Sequence, residues 1–200
     1  MNRLLGPLFG ILLLAGCASD KPANNTVFDF GPATARATAP ARPSLGAVVV
    51  TDVSGSAALD SERMYYRLNY ANPLEARSYA NSRWSATPLQ LLAQRLKTRV
   101  AQSGIKVLSS TDASDGIPLL RVDVDDFSHS FDSVTDSRGE VTLRASLFVG
   151  HKLVDQKTFT RTTPAASANA GGGAAALAAS TDAVAADIIG WLGTLPLPQP

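Results

Sequence analysis

From Glu140 to Val149 the chain alternates, with Val141, Leu143, Ala145, Leu147 and Val149 of one parity and Glu140, Thr142, Arg144 and Ser146 of the other. A strand with one buried and one wet face produces that period of two. The segment before it, Leu119 to Phe131, also reads as extended. Its apolar residues change parity, however, from Leu120, Val122 and Val124 to Phe127 and Phe131. One extra residue near Asp125-Asp126, a bulge, would turn both halves toward a single core. Asp136-Ser137-Arg138-Gly139 supplies a hairpin turn between these strands, and Lys152 to Thr162 reads as a third strand of the same meander. Such a meander leaves one apolar face that something else must cover.

Two amphipathic helices are predicted to cover it. Thr87-Pro88-Leu89-Gln90 combines a threonine N-cap, proline at the first helical position and glutamine three residues after the cap. Leu89, Leu92, Leu96 and Val100 follow at spacings of three and four, and Gly104 stands at the C-terminal cap. Arg95, Lys97 and Arg99 flank that stripe, partly on the solvent side. The second helix is expected over Ala174 to Leu195, with Leu177, Val184, Ile188, Trp191, Leu192 and Leu195 near one face. Shorter strands are expected over Gly46 to Val53, Met64 to Tyr70 and Ile105 to Leu108, with Ala76 to Tyr79 antiparallel to the second of these. The fold class implied is α+β, a mainly antiparallel sheet with both helices packed on one face.

The N-terminus has a different character. Arg3 precedes an apolar run from Leu4 to Leu14, too short for the roughly 20 residues of a spanning helix. The run ends in Leu14-Ala15-Gly16-Cys17, a bacterial lipobox, which predicts a signal peptide over 1–16, cleavage between Gly16 and Cys17, and acylation of Cys17. Cys17 is the sole cysteine, so no intramolecular disulfide competes for its sulfur. Ala18, where an aspartate would favour inner-membrane retention, predicts an outer-membrane anchor facing the periplasm. Residues 17–44 are rich in Ala, Pro, Thr and Asn and read as a flexible tether with a short docking strand at 27–31. One domain then occupies 45–195, and 196–200 form a tail. Losing Arg3 with the signal leaves 17 basic and 17 acidic residues, a balance that offers nothing to nucleic acid.

Few residues suggest chemistry. His129 lies among Asp125, Asp126 and Asp132, but with no second histidine nearby it reads as a strand position rather than a base or a metal ligand; His151 falls in a hairpin turn. No serine lies in a Gly-x-Ser-x-Gly elbow. Gly171-Gly172-Gly173 lacks the Gly-Lys-Ser/Thr ending of a phosphate loop and reads, with the linker from Pro164, as a flexible hinge. No enzyme activity, cofactor or metal is expected. The densest aromatic and basic cluster holds Tyr65, Tyr66, Arg67, Tyr70, Tyr79, Arg83 and Trp84, in a chain that is 6% aromatic. Tyrosine, tryptophan and arginine dominate interface energies, which marks Tyr65, Arg67, Tyr79, Arg83 and Trp84 as candidate partner contacts. Plain packing is the competing reading.

Met64-Tyr65-Tyr66-Arg67, Tyr79-Ala80-Asn81-Ser82-Arg83-Trp84, Pro88-Leu89-Gln90-Leu91-Leu92 and Asp126-Phe127-Ser128-His129-Ser130-Phe131-Asp132 resemble, in that order, the ABC-type transport auxiliary lipoproteins, the family that includes the lipoprotein of the paraquat-inducible (Pqi) system. The resemblance runs from about Val27 to Leu195. It implies a non-catalytic docking or binding subunit that stands on the outer membrane and works with a mammalian-cell-entry (MCE) protein. Through that protein it would meet an inner-membrane ABC permease and ATPase that move phospholipids or other hydrophobic molecules between membranes. Self-association into a homo-oligomer stays open. Two other readings compete: an assembly lipoprotein that supports an outer-membrane barrel, and an envelope hydrolase.

Overall fold

The computed structural model describes residues 25–34, 45–112 and 115–196. The expected signal segment and cleavage site, Cys17 and most of the expected tether lie outside the described residues, as does the tail beyond residue 196. The strands are β1 (Thr26–Phe28), β2 (Ala47–Val50), β3 (Ser54–Gly55), β4 (Arg63–Leu68), β5 (Asn72–Trp84), β6 (Lys106–Leu108), β7 (Leu119–Phe131), β8 (Ser137–Val149) and β9 (Lys152–Pro164). The helices are α1 (Pro88–Gln102) and α2 (Ala170–Leu192).

β7 organises the sheet. One of its edges pairs with β8 along its whole length, and β8 pairs in turn with β9, both antiparallel. Its other edge is shared end to end by three strands, β2 at Leu119 and Leu120, β3 at Asp123 and Val124, and β4 from His129 to Phe131. All three run parallel to β7, as do β6 to β2 and β1 to β5, while β4 and β5 form an antiparallel hairpin. The sheet is therefore mixed, with five of eight strand pairings parallel, and not mainly antiparallel as the local patterns suggest. The meander is real but forms only one side of β7. The bulge falls where parity changes: the β7–β8 register shifts between Val124 and Asp126, so Val122, Val124, Phe127 and Phe131 all reach the core.

Both helices cover the same face. Leu92 and Leu96 of α1 meet Val184, Ala185 and Ile188 of α2 above Val122 and Leu143 in one continuous core. The start of α1 is fixed by a reciprocal capping box: Gln90 N–H donates to Thr87 Oγ1 at 3.3 Å, and Thr87 N–H donates to Gln90 Oε1 at 3.2 Å. Gly104 follows with φ of 90°, a left-handed cap that favours glycine.

α2 begins four residues earlier than its hydrophobic pattern implies. Asn169 caps it by accepting Gly172 N–H at 3.0 Å, so Gly171-Gly172-Gly173 is helix and not a hinge. The reason is close packing. A Cβ on Gly173 would overlap the His129 ring, and one on Gly139 of β8 would lie 2.5 Å from Leu177 N, so these glycines let helix and sheet approach beyond what side chains allow. At 23 residues, with an 18-residue stretch of mean hydropathy 1.3, α2 is by length and composition alone long and apolar enough to cross a bilayer. It is instead seated on β7, β8 and β9, and its Asp182 and Asp187 are both held by arginines.

β1 joins the sheet beside β5, Thr26 opposite Ser82 and Phe28 opposite Trp84. Beyond it Phe30 enters the core, edge-on to Trp84 with ring centres 5.8 Å apart.

Candidate functional site

The predicted contact residues sit on the β4–β5 hairpin, whose alternation sorts them. Met64 is buried and Tyr66 packs on Tyr79 and Phe131, so the even-numbered side of β4 faces the helices. Tyr65 and Arg67 are therefore directed to the open face of the sheet, and both are half-buried. Arg67 Nη1 donates to Pro73 O at 3.3 Å, which steadies it along the hairpin. Arg83 is exposed and paired with Glu62.

Trp84 does not belong to this surface. It is 1% exposed and forms an aromatic centre with Phe30 and Phe127, so its rank as a contact residue is corrected to core. Tyr79 is divided: its hydroxyl turns inward, 2.8 Å from His129 Nδ1. The hairpin thus brings Tyr65, Arg67 and Arg83 to solvent while spending the other two aromatics on packing.

His129 is wholly buried, with Phe131 at 4.5 Å and Tyr79 at 6.2 Å between ring centres and Gly173 pressed against it. Burial lowers its pKa from 6.5 to about 4, so it is neutral at ordinary pH. Burial, and then the neighbouring Tyr66, push the Tyr79 phenol above its usual value. The His129 Nε2 atom has no hydrogen-bond partner among the described residues. The three carboxylates nearest in sequence are directed elsewhere: Asp126 accepts from Ser128 Oγ at 2.9 Å, Asp132 pairs with Arg138, and Asp125 lies 3.8 Å from Arg144. No group of three His, Cys, Asp or Glu side chains able to hold a metal occurs among the described residues. Parity carries the missing signal: after the bulge His129 shares the odd-numbered core face with Phe127 and Phe131.

A second cluster was not legible in the sequence. Arg95, expected partly toward solvent, is 8% exposed. Its Nε donates to Asp182 Oδ1 at 2.8 Å and its Nη2 to Oδ2 at 3.2 Å, while Arg99 holds the same carboxylate at 2.7 and 2.5 Å. Burial alone would raise the Asp182 pKa, but the two guanidiniums outweigh it and hold the carboxyl below its ordinary value. The remaining donors bind the segment that follows β1. Arg95 donates to Phe30 O and Gly31 O, both at 3.0 Å, Arg99 to Thr34 O at 2.8 Å, and Gln102 Nε2 to Ala33 O at 2.9 Å. α1 thereby straps residues 30–34 across the domain.

Two solved structures share this fold. A protein from Xanthomonas campestris is 20% identical, with a TM-score of 0.67, over 85% of this chain and 92% of its own. An uncharacterised protein is 15% identical with the same TM-score, over 84% of this chain and 99% of its own. No curated protein matches the sequence significantly. The family model of the ABC-type transport auxiliary lipoprotein component matches residues 28–189, from the end of β1 almost to the end of α2. The capped helix, the β4–β5 hairpin and the strap all lie within that span, and the chain belongs to the ABC-type transport auxiliary lipoprotein family.

Proposed function

We propose that this chain is a non-catalytic docking subunit of an ABC/MCE-type system that moves phospholipids or other hydrophobic molecules between membranes, held at the outer membrane by acylated Cys17. The family match over residues 28–189 carries the reading. The lipobox at Leu14 to Cys17 and Ala18 after it support the anchor and its outer-membrane address. The interior supports the non-catalytic part: the one buried histidine among the described residues is neutral and bonded to a tyrosine.

Tyr65, Arg67 and Arg83 are the proposed contact to the MCE protein. They share one hairpin, and arginines beside a tyrosine suit a partner surface that offers carboxylates and apolar patches. A photocrosslinking residue placed at 65 or 83 in cells is expected to capture an MCE protein. Capture of an outer-membrane barrel instead would overturn this reading in favour of an assembly lipoprotein. Cys17→Ser is expected to abolish palmitate labelling, and a variant still labelled would refute the anchor.

A further inference from the structure

Two turns protrude at one end of the sheet. β4 and β7 run parallel, with Leu68 opposite Phe131, so the turn leaving β4 and the turn leaving β7 emerge side by side. The N–H of Asn69 still donates to Phe131 O at 2.9 Å across their bases. The first turn carries Tyr70, with Leu74 just beyond it at the start of β5, and the second carries Val134. Leu74 is 89% exposed and Val134 75%, the two most exposed large apolar side chains among the described residues; Tyr70 follows at 49%.

The polar groups around them are already satisfied. Arg77 pairs with Glu75 at 2.9 Å, and Arg138 pairs with Asp132. Asp136 accepts from Ser133 Oγ at 2.7 Å and Thr135 Oγ1 at 3.3 Å. Leu74 N–H donates to the Asn72 side chain at 3.1 Å. Internal pairing reduces the penalty for bringing such groups to a poorly hydrated surface. It also leaves the apolar side chains as the main free contact at this end.

The path of the N-terminal chain says what that surface is. β5 leaves the Tyr70 turn, passes Leu74 and runs toward Trp84, and β1 runs parallel to it. The chain that precedes Thr26 therefore enters β1 from the side of the protruding turns. Nine peptide steps separate Cys17 from Thr26, a reach of at most about 30 Å. Nine steps back along β5 from Ser82, the partner of Thr26, arrive at Pro73, beside Leu74. The strap at residues 30–34 prevents the rest of the tether from lengthening that reach.

We infer that Leu74, Val134 and Tyr70 are membrane-dipping side chains, which seat this end of the domain on the phospholipid surface that anchors Cys17. The inference rests on the acylated-cysteine reading above. Two short fingers with an aliphatic tip and a tyrosine at the rim suit the boundary between headgroups and acyl chains. With the sheet standing on that end, the β8–β9 turn at Gly150-His151 points away from the bilayer, and the Tyr65–Arg83 surface stands on its flank.

The test uses the full mature, acylated protein in vesicles of phosphatidylethanolamine and phosphatidylglycerol. Cysteine is introduced at Leu74, at Val134 or, as a control at the far end, at Lys152, and labelled with an environment-sensitive fluorophore; acylation protects Cys17. Labels at 74 and 134 are expected to shift to the blue and to lose at least half their emission to nitroxide lipids, with the label at 152 unchanged. Labels at 74 and 134 that stay in water while the protein is acylated and floats with the vesicles would overturn the inference and leave the anchor standing. A protein that carries no acyl chain would defeat the anchor reading and this inference with it. Shielding without vesicles, together with self-association, would assign the turns to a contact between copies and overturn the inference.

Discussion

Asp182 and Asp187 lie five residues apart on α2, and each is held by arginine in the same two-pronged geometry. Asp187 meets Arg161 of β9 at 2.6 and 2.7 Å, with the arginine side chain half exposed. Asp182 meets two arginines whose side chains are 8% and 13% exposed. Identical chemistry thus performs two tasks. At the surface the pair gains little over solvent, because water and salt screen it. In the interior each charge needs the others, and the arginines have donors left over for the carbonyls of residues 30–34.

The contrast can be broken in order of expected effect. Asp182→Ala leaves two enclosed guanidiniums without a counter-charge and is expected to cost about 3 kcal/mol, the low end for a buried pair because Asp182 keeps some exposure. A urea midpoint measures it. Arg99→Ala spares the Arg95 bond and should cost less, about 1–2 kcal/mol. Its sharper signature is faster amide exchange in residues 30–34, since the bond to Thr34 O goes with it. Asp187→Ala should change stability by no more than about 1 kcal/mol and leave that exchange untouched.

Acid separates the contributions further. His129 titrates near 4 in the folded chain and near 6.5 when unfolded, so the unfolded state binds more protons between those values. Stability is expected to fall as pH drops through that window. The contribution of Asp182, whose folded pKa is depressed, is present above the ordinary carboxylate value of 3.8 and is lost only below it. A midpoint series from pH 7 to pH 4 should therefore decline in Asp182→Ala in parallel with the parent chain, and become flatter in His129→Gln.

What the sequence disclosed follows from the range of each interaction. The α1 capping box spans four adjacent residues, and the β7 bulge is a change of parity within one strand, so both are written locally. The parallel pairing of β2, β3 and β4 on β7 is not, because nothing in Ala47–Val50 names its partner at Leu119. Gly171-Gly172-Gly173 misled for the same reason: glycine marks a flexible chain or a tight contact, and only the fold shows the Ser167 carbonyl against Gly172 and the His129 ring against Gly173. Arg95 and Arg99 have the i, i+4 spacing of two side chains that can share a partner, yet that partner is on the other helix. Among the candidate contacts, Tyr65 and Arg67 follow simple alternation. Trp84 escapes it because the β4–β5 register shifts between Arg63 and Tyr65, which alters the facing of everything beyond.

The single edge of β7 that three earlier strands share also sets a timetable. Thr51 must wait 69 residues for the carbonyl of Leu120 that it meets. β2, β3 and β4 are all synthesised before β7, so the β4–β5 hairpin and the β2–β6 pair can form early but are not joined into one sheet until β7 has emerged. A topology so dependent on distant partners closes slowly. On the proposed anchor reading the chain crosses a membrane before it folds, and a sheet that is completed only when β7 arrives would suit that passage.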